Sequence, residues 1–146
     1  MAQKWYAGLA GGFLGGLIFG IYMQAAGMLE SVAMLVGSDN PGVGWGIHLI
    51  ISLLFGLAFA AGSQYVKNKI VYAVTFGVAI WIIGPLLIMP LMLGMGQLLT
   101  AAFAPAQLMS LVTHLVFAGI TAVTFHYLNS PKLRVIKRDR GGSSAA

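Results

Sequence analysis

Four long apolar runs divide this chain, near residues 5–29, 45–62, 70–96 and 107–128, and short polar stretches separate them. A helix needs about 20 residues to cross a hydrocarbon core. Each run therefore predicts one membrane span, the second being the shortest. The expected architecture is all-α, a four-transmembrane-helix bundle over residues 1–130, followed by a separate tail over 131–146. Pro85 and Pro90 fall inside the third run. Each removes a backbone donor and crowds the preceding turn, so a kink is expected in its second half.

The first run carries the most distinctive pattern. Gly8, Gly12, Gly16 and Gly20 recur at every fourth residue, with Gly11 and Gly15 beside them. In water so many glycines would weaken a helix by about 1 kcal/mol each relative to alanine. Between lipid tails, helices associate through close packing, and glycine lets two backbones approach. The repeat predicts a smooth groove along helix 1. It would serve either packing inside one bundle or self-association with a second copy.

Charge sets the expected orientation. Lys4 precedes helix 1, Lys67 and Lys69 lie between helices 2 and 3, and Lys132, Arg134, Lys137, Arg138 and Arg140 follow helix 4. The other two connections carry Glu30 and Asp39 and no basic residue. The positive-inside rule places both termini in the cytoplasm, in a plasma-membrane protein. Ser31–Val36 is expected to lie along the interface or to extend helix 1. The turn signal at Ser38–Gly42 follows it. The connection 97–106 should hug the membrane, and the polybasic tail should favour anionic lipid.

Composition agrees. The chain is 59% hydrophobic and 8% charged, with mean hydropathy +0.90. Soluble domains carry about 25% charged residues. The net charge of +5 points to a membrane surface, with no nucleic acid partner. There is no cysteine, which excludes thiolate metal sites and cysteine catalysis. The first run is too long for a signal-peptide core.

Helices 2 and 4 share a pattern. His48, Ser52, Gly56 and Ala60 follow at four-residue steps, as do Ser110, His114, Ala118 and Ala122. Each histidine precedes a leucine and follows a Gly-Met pair, Gly27-Met28 or Gly94-Met95. This suggests duplication of a two-helix unit, which would make the repeats parallel. Gly46-Ile47-His48-Leu49, the stretch from Met89 to Gly96, and His114-Leu115-Val116-Phe117-Ala118-Gly119 resemble motifs of a family of small bacterial four-helix membrane proteins with no assigned function. The resemblance covers most of residues 8–128. It implies a four-helix bundle and carries no functional residue.

Polar groups inside a membrane are costly, so each is a candidate site. In the expected topology Met23, Met28, Met89, Met92 and Met95 lie in the outer thirds of helices 1 and 3. His48 and His114 lie about 5 and 10 Å below the outer surface. Thioether and imidazole suit Cu(I), which makes these seven residues a candidate copper site. A haem b between the two histidines is a weaker variant. The plainer reading gives the methionines a gap-filling role. The histidines would then hydrogen-bond across the bundle to Ser52, Ser110, Gln24 or a backbone carbonyl. Glu30 would face water or pair with His48.

No carboxylate or lysine is expected in mid-membrane, which counts against a proton-coupled transporter. No acid–base pair, catalytic triad or phosphate loop is present, so an enzyme is not expected. The first expectation is a non-enzymatic module acting through helix contacts. It would be a homo-oligomer or an accessory subunit of a larger membrane complex, using Gly8, Gly12, Gly16, Gly20 and Gly56. The alternative is a small-ligand binding or transport protein with a His/Met site near the outer surface.

Overall fold

The computed structural model describes residues 2–130; the polybasic tail lies outside the described residues. The described residues form helices and connecting turns, with no strand among them: α1 (Ala2–Ala25), α2 (Leu29–Ala33), α3 (Pro41–Gly62), α4 (Lys69–Trp81), α5 (Met89–Met92) and α6 (Pro105–Leu128). A π-helical stretch, Ile82–Ile88, joins α4 to α5. Four segments are long and apolar enough to cross a membrane: Ala2–Ala25, Pro41–Gly62, Lys69–Met92 and Pro105–Leu128.

The helix starts lie earlier than hydropathy alone suggests, because local signals set them. Asn40 caps α3, its Oδ1 accepting from Gly42 N at 2.8 Å, and Pro41 takes the first helical position. Asn68 caps α4 by accepting from Ile70 N and Val71 N at 3.0 and 3.1 Å. Pro105 opens α6. These polar caps sit just outside the apolar runs, where a hydropathy window does not look.

The helix ends also differ from expectation. The first and third spans stop at Ala25 and Met92, four residues short in each case of the expected 29 and 96. Gly27 and Gly94 cause this. Both adopt left-handed backbone, with φ of +66° and +71°. Around them Met28 N donates to Met23 O and Met95 N to Pro90 O, each at 2.9 Å. Gly27 N donates to Gln24 O and Gly94 N to Leu91 O, each at 3.2 Å. This is the paired pattern of a Schellman cap, which glycine adopts without strain. The two Gly-Met pairs singled out in the sequence are thus the same helix stop, used once in each half.

Beyond the first stop, α2 does not extend α1 but packs on α3. It folds back, with Leu29, Val32 and Ala33 buried. The Leu29 carbonyl rests against Gly44 near the start of α3, a contact that a side chain at Gly44 would block. The irregularity expected at the prolines is present. The π-helical register accommodates Pro85, which lacks the N–H that an α-helix would use there.

Helix α1 is the middle of the bundle, packing on α3 along one side and α6 along another, while α4 packs on α6. The glycines make this possible. A Cβ at Gly8 would lie 2.6 Å from Gly56 O and 2.7 Å from Ala60 Cβ. At Gly12 it would meet the Ser52 carbonyl, with Gly56 Cα at 2.9 Å. At Gly16 it would lie 2.5 Å from Ser52 Oγ, and at Gly20 it would strike the Trp45 ring. Gly56 is crowded in return by the Gly8 carbonyl. On the other side, Gly11 and Gly15 face Thr121 and Phe117 of α6. The groove is filled by the chain's own helices.

Near the end that carries Lys4, Lys67 and Lys69 the interior is packed by aromatic rings. Phe59 is fully buried there, with Tyr72, Phe76 and Phe125 ring centroids at 4.7, 5.2 and 5.5 Å. Tyr72 Oη donates to Phe59 O at 2.9 Å, tying α4 to α3. Gln3 Nε2 donates to Leu128 O at 2.8 Å, so the chain's first helix begins where its last ends. At the opposite end, where Glu30 and Asp39 lie, the spans separate.

Candidate functional site

The separation creates a cavity of about 630 Å³ to which all four spans contribute. Its wall is mostly apolar: Phe19 and Tyr22 from α1, Val32 and Leu35 after it, Ile51 and Phe55 from α3, and Ile83 and Ile88 from the π-helical stretch. Its polar groups are few. They are His48, His114, Ser31, Ser110 and Thr113. A large apolar cavity with a few convergent polar groups is the usual form of a small-molecule site.

Of the candidate residues named from sequence, His48, His114, Met23, Met28 and Met89 line this cavity. Met92 and Met95 do not; they are 60% and 65% exposed. Met95 follows the helix stop at Gly94, whereas Met92 is the last residue of α5. Met109 joins the lining from α6. Because α3 and α6 begin at Pro41 and Pro105, the histidines sit at nearly one level, about 10 and 13 Å along their helices at 1.5 Å per residue.

The two imidazoles are held differently. His48, 7% exposed, places Nε2 at 2.8 Å from Gly16 O on α1. A carbonyl only accepts, so Nε2 carries the proton and the bond joins two helices. Gly16 permits it, since a side chain there would occupy the position of Ser52. His114 places Nδ1 at 2.7 Å from Ser110 O, on its own helix, and by the same rule Nδ1 donates. Thr113 Oγ1 donates to the same carbonyl at 2.8 Å. Of the expected partners, Gln24 is taken by Trp45, whose Nε1 donates to Gln24 Oε1 at 3.0 Å. Ser52 Oγ donates to His48 O at 2.8 Å. Glu30 is exposed.

One nitrogen of each ring remains: Nδ1 of His48 and Nε2 of His114. Neither has a hydrogen-bond partner among the described residues, and neither is sealed from the accessible surface. Both belong to side chains that line the cavity. In the neutral tautomers fixed above, both are acceptors. Phe19 stands edge-on to both rings, with centroids 5.5 and 5.3 Å away. Nothing in the sequence marks Phe19, one phenylalanine in a continuous apolar run. Gly84, in the π-helical wall, is also new; a Cβ there would meet nothing within 4 Å.

The duplication read from the sequence has a partial counterpart. In each half the residue four after the histidine opposes a glycine of the preceding span, Ser52 with Gly16 and Ala118 with Gly77. The histidines break the likeness, one bonding across the bundle and the other along its helix.

Chemically the cavity can receive two hydrogen-bond donors from an apolar molecule, or a soft cation through imidazole and thioether. Among the described residues no group of three His, Asp or Glu side chains could hold a metal ion, so a metal would depend on methionine sulfur. A haem would find His48 Nε2 committed to Gly16 O and could use only Nδ1 of that ring. No family model, curated protein or solved structure matches the chain. The family resemblance read from the short apolar motifs finds no support there.

Proposed function

We propose that this protein is a membrane binding protein for a small, largely apolar molecule bearing hydrogen-bond donors, held in the cavity between its spans. The observation that carries this reading is the pair of unpartnered acceptor nitrogens, His48 Nδ1 and His114 Nε2, on side chains lining one apolar cavity. Both nitrogens are accessible and belong to side chains that line the cavity, so a molecule there can reach them. A bound hydroxyl or amine would supply the missing partners. Contacts with a sister copy or a larger complex, the first expectation from sequence, would need surface other than the glycine groove, which α3 and α6 already cover.

The test is native mass spectrometry of the protein purified in mild detergent from its own membrane. An organic adduct near one per chain is expected, and it should be absent from Gly84→Phe, which adds a ring at a residue lining the cavity. An adduct retained equally by that variant would place the molecule elsewhere and overturn the reading.

A second reading is favoured by the anchoring of both imidazoles. Metal-bound histidines commonly donate their other nitrogen to a carbonyl, as both do here. In that case Cu(I) would sit among His48, His114 and the cavity methionines Met23, Met28 and Met89. Stoichiometric copper in the same preparation, with no organic adduct, would select it.

The charge distribution supports an orientation with both termini in the cytoplasm of a plasma-membrane protein, which puts the cavity in the outer half. The chain lacks cysteine, so single introduced cysteines report topology directly. Asp39→Cys is expected to react with an impermeant maleimide on intact cells, and Lys67→Cys only after lysis. The reverse pattern would invert the assignment.

A further inference from the structure

At the opposite, basic end a second cavity of about 390 Å³ is lined by Lys4, Ser63, Gln64, Lys69, His126 and Ser130, among others. It differs from the first in every chemical respect. All four spans reach it: Lys4 from the start of α1, Ser63 just past α3, Lys69 at the first turn of α4, and His126 in the last turn of α6. The two ammonium groups have no carboxylate to neutralise them, because the acidic residues among those described, Glu30 and Asp39, lie at the far end of the bundle. Lys4 Nζ donates to the neutral Gln64 Oε1 at 3.2 Å and stands 5.3 Å from the Trp5 ring centroid.

His126 adds a donor. Its Nε2 is buried with no partner among the described residues, whereas Nδ1 is not sealed off. An orphaned buried N–H is rarer than an orphaned acceptor. The proton therefore belongs on Nδ1, where it can be given to a ligand. Ser63 Oγ is engaged, donating to Ala60 O at 2.8 Å, which leaves that oxygen as an acceptor only. The balance of the cup is two cations and several neutral donors, with no anion among the described residues.

We infer that this cup binds a phosphate group at the bundle's basic end, supplied by an anionic phospholipid headgroup or by free phosphate. A phosphate offers several strong acceptor oxygens and the missing negative charge. The lining residues are all among those described and are other than those of the His48–His114 cavity.

The test uses the full chain with labelled histidine, reconstituted in phosphatidylcholine vesicles and titrated with phosphatidylglycerol or with inorganic phosphate. The His126 ring resonances, assigned through His126→Gln, are expected to shift saturably. Lys4→Gln combined with Lys69→Gln should raise the half-saturation point by roughly 10-fold or more, at about one kcal/mol per basic residue. Lys4→Arg should keep it. Lys137→Gln with Arg138→Gln removes the same charge from the tail and should move it little. A shift with phosphatidylglycerol alone identifies a lipid headgroup, and a shift with inorganic phosphate identifies the free anion; either supports the site. Equal weakening by the tail and cup variants, or a His126 signal that neither ligand moves, would overturn it.

Discussion

Leucine at Gly12 is expected to prevent the bundle from assembling, whereas leucine at Gly119 is expected to leave it intact. At Gly12 even the first carbon of a side chain would meet the Ser52 carbonyl and lie 2.9 Å from Gly56 Cα. Both obstacles are backbone, so no rotamer change relieves them. Helices α1 and α3 would have to separate. That separation would also release the His48 Nε2 bond to Gly16 O, which spans the same seam. Overpacking a well-packed interior costs about 1–3 kcal/mol, and more when backbone must move. In lipid the added leucine recovers nothing by burial, because the tails are equally apolar. A loss of about 3 kcal/mol or more follows, which is roughly a hundredfold in the folded-to-unfolded ratio. At Gly119 a Cβ meets nothing within 4 Å, so the same substitution should lower stability by less than about 0.5 kcal/mol. Unfolding in mixed micelles with rising dodecyl sulfate measures both. Matching midpoints for the two variants would mean that the glycine seam does not hold the bundle together.

The seam and the spans were legible in the sequence for a physical reason. A bilayer imposes a length on each apolar run, so the four spans can be read without knowing any contact. The glycine repeat at 8, 12, 16 and 20 was legible as a packing face. Which helices would fill it was not, because a repeat on one helix says nothing about its partner. The stops at Gly27 and Gly94 were visible as Gly-Met pairs but not as stops. In an apolar run, glycine serves close packing and left-handed caps alike, and only the backbone separates the two uses. The cavity was partly legible. Residue type and depth brought His48, His114, Met23, Met28 and Met89 to one lining, while Met92, the last residue of its span, and Met95, just past Gly94, lie outside it. Phe19 and Gly84 carried no signal, since their roles arise from where neighbouring helices diverge.

Loss of donor recognition in the double variant His48→Leu, His114→Leu is the second large effect expected. A suitable probe pair is a 4-alkylphenol and its methyl ether, which differ by one hydroxyl proton. The phenol can donate to His48 Nδ1 or His114 Nε2; the ether cannot donate to either. A hydrogen bond made in the cavity contributes about 0.5–1.5 kcal/mol net, so the native protein should prefer the phenol by roughly 2- to 12-fold. Quenching of tryptophan fluorescence in nanodiscs reads both affinities, and the preference should fall to near unity in the double variant. The single variants separate binding from folding. His114 bonds only to its own helix, so His114→Leu should reduce the preference with little change in stability. His48 joins α3 to α1, so His48→Leu should reduce both, the stability by about 1 kcal/mol. A preference for the phenol that survives in the double variant would remove the imidazoles from recognition. Absence of any preference in the native protein, together with copper binding lost in either single variant, would turn the cavity into a metal site. Each ring gives one nitrogen to a carbonyl, and neither remaining nitrogen has a partner among the described residues.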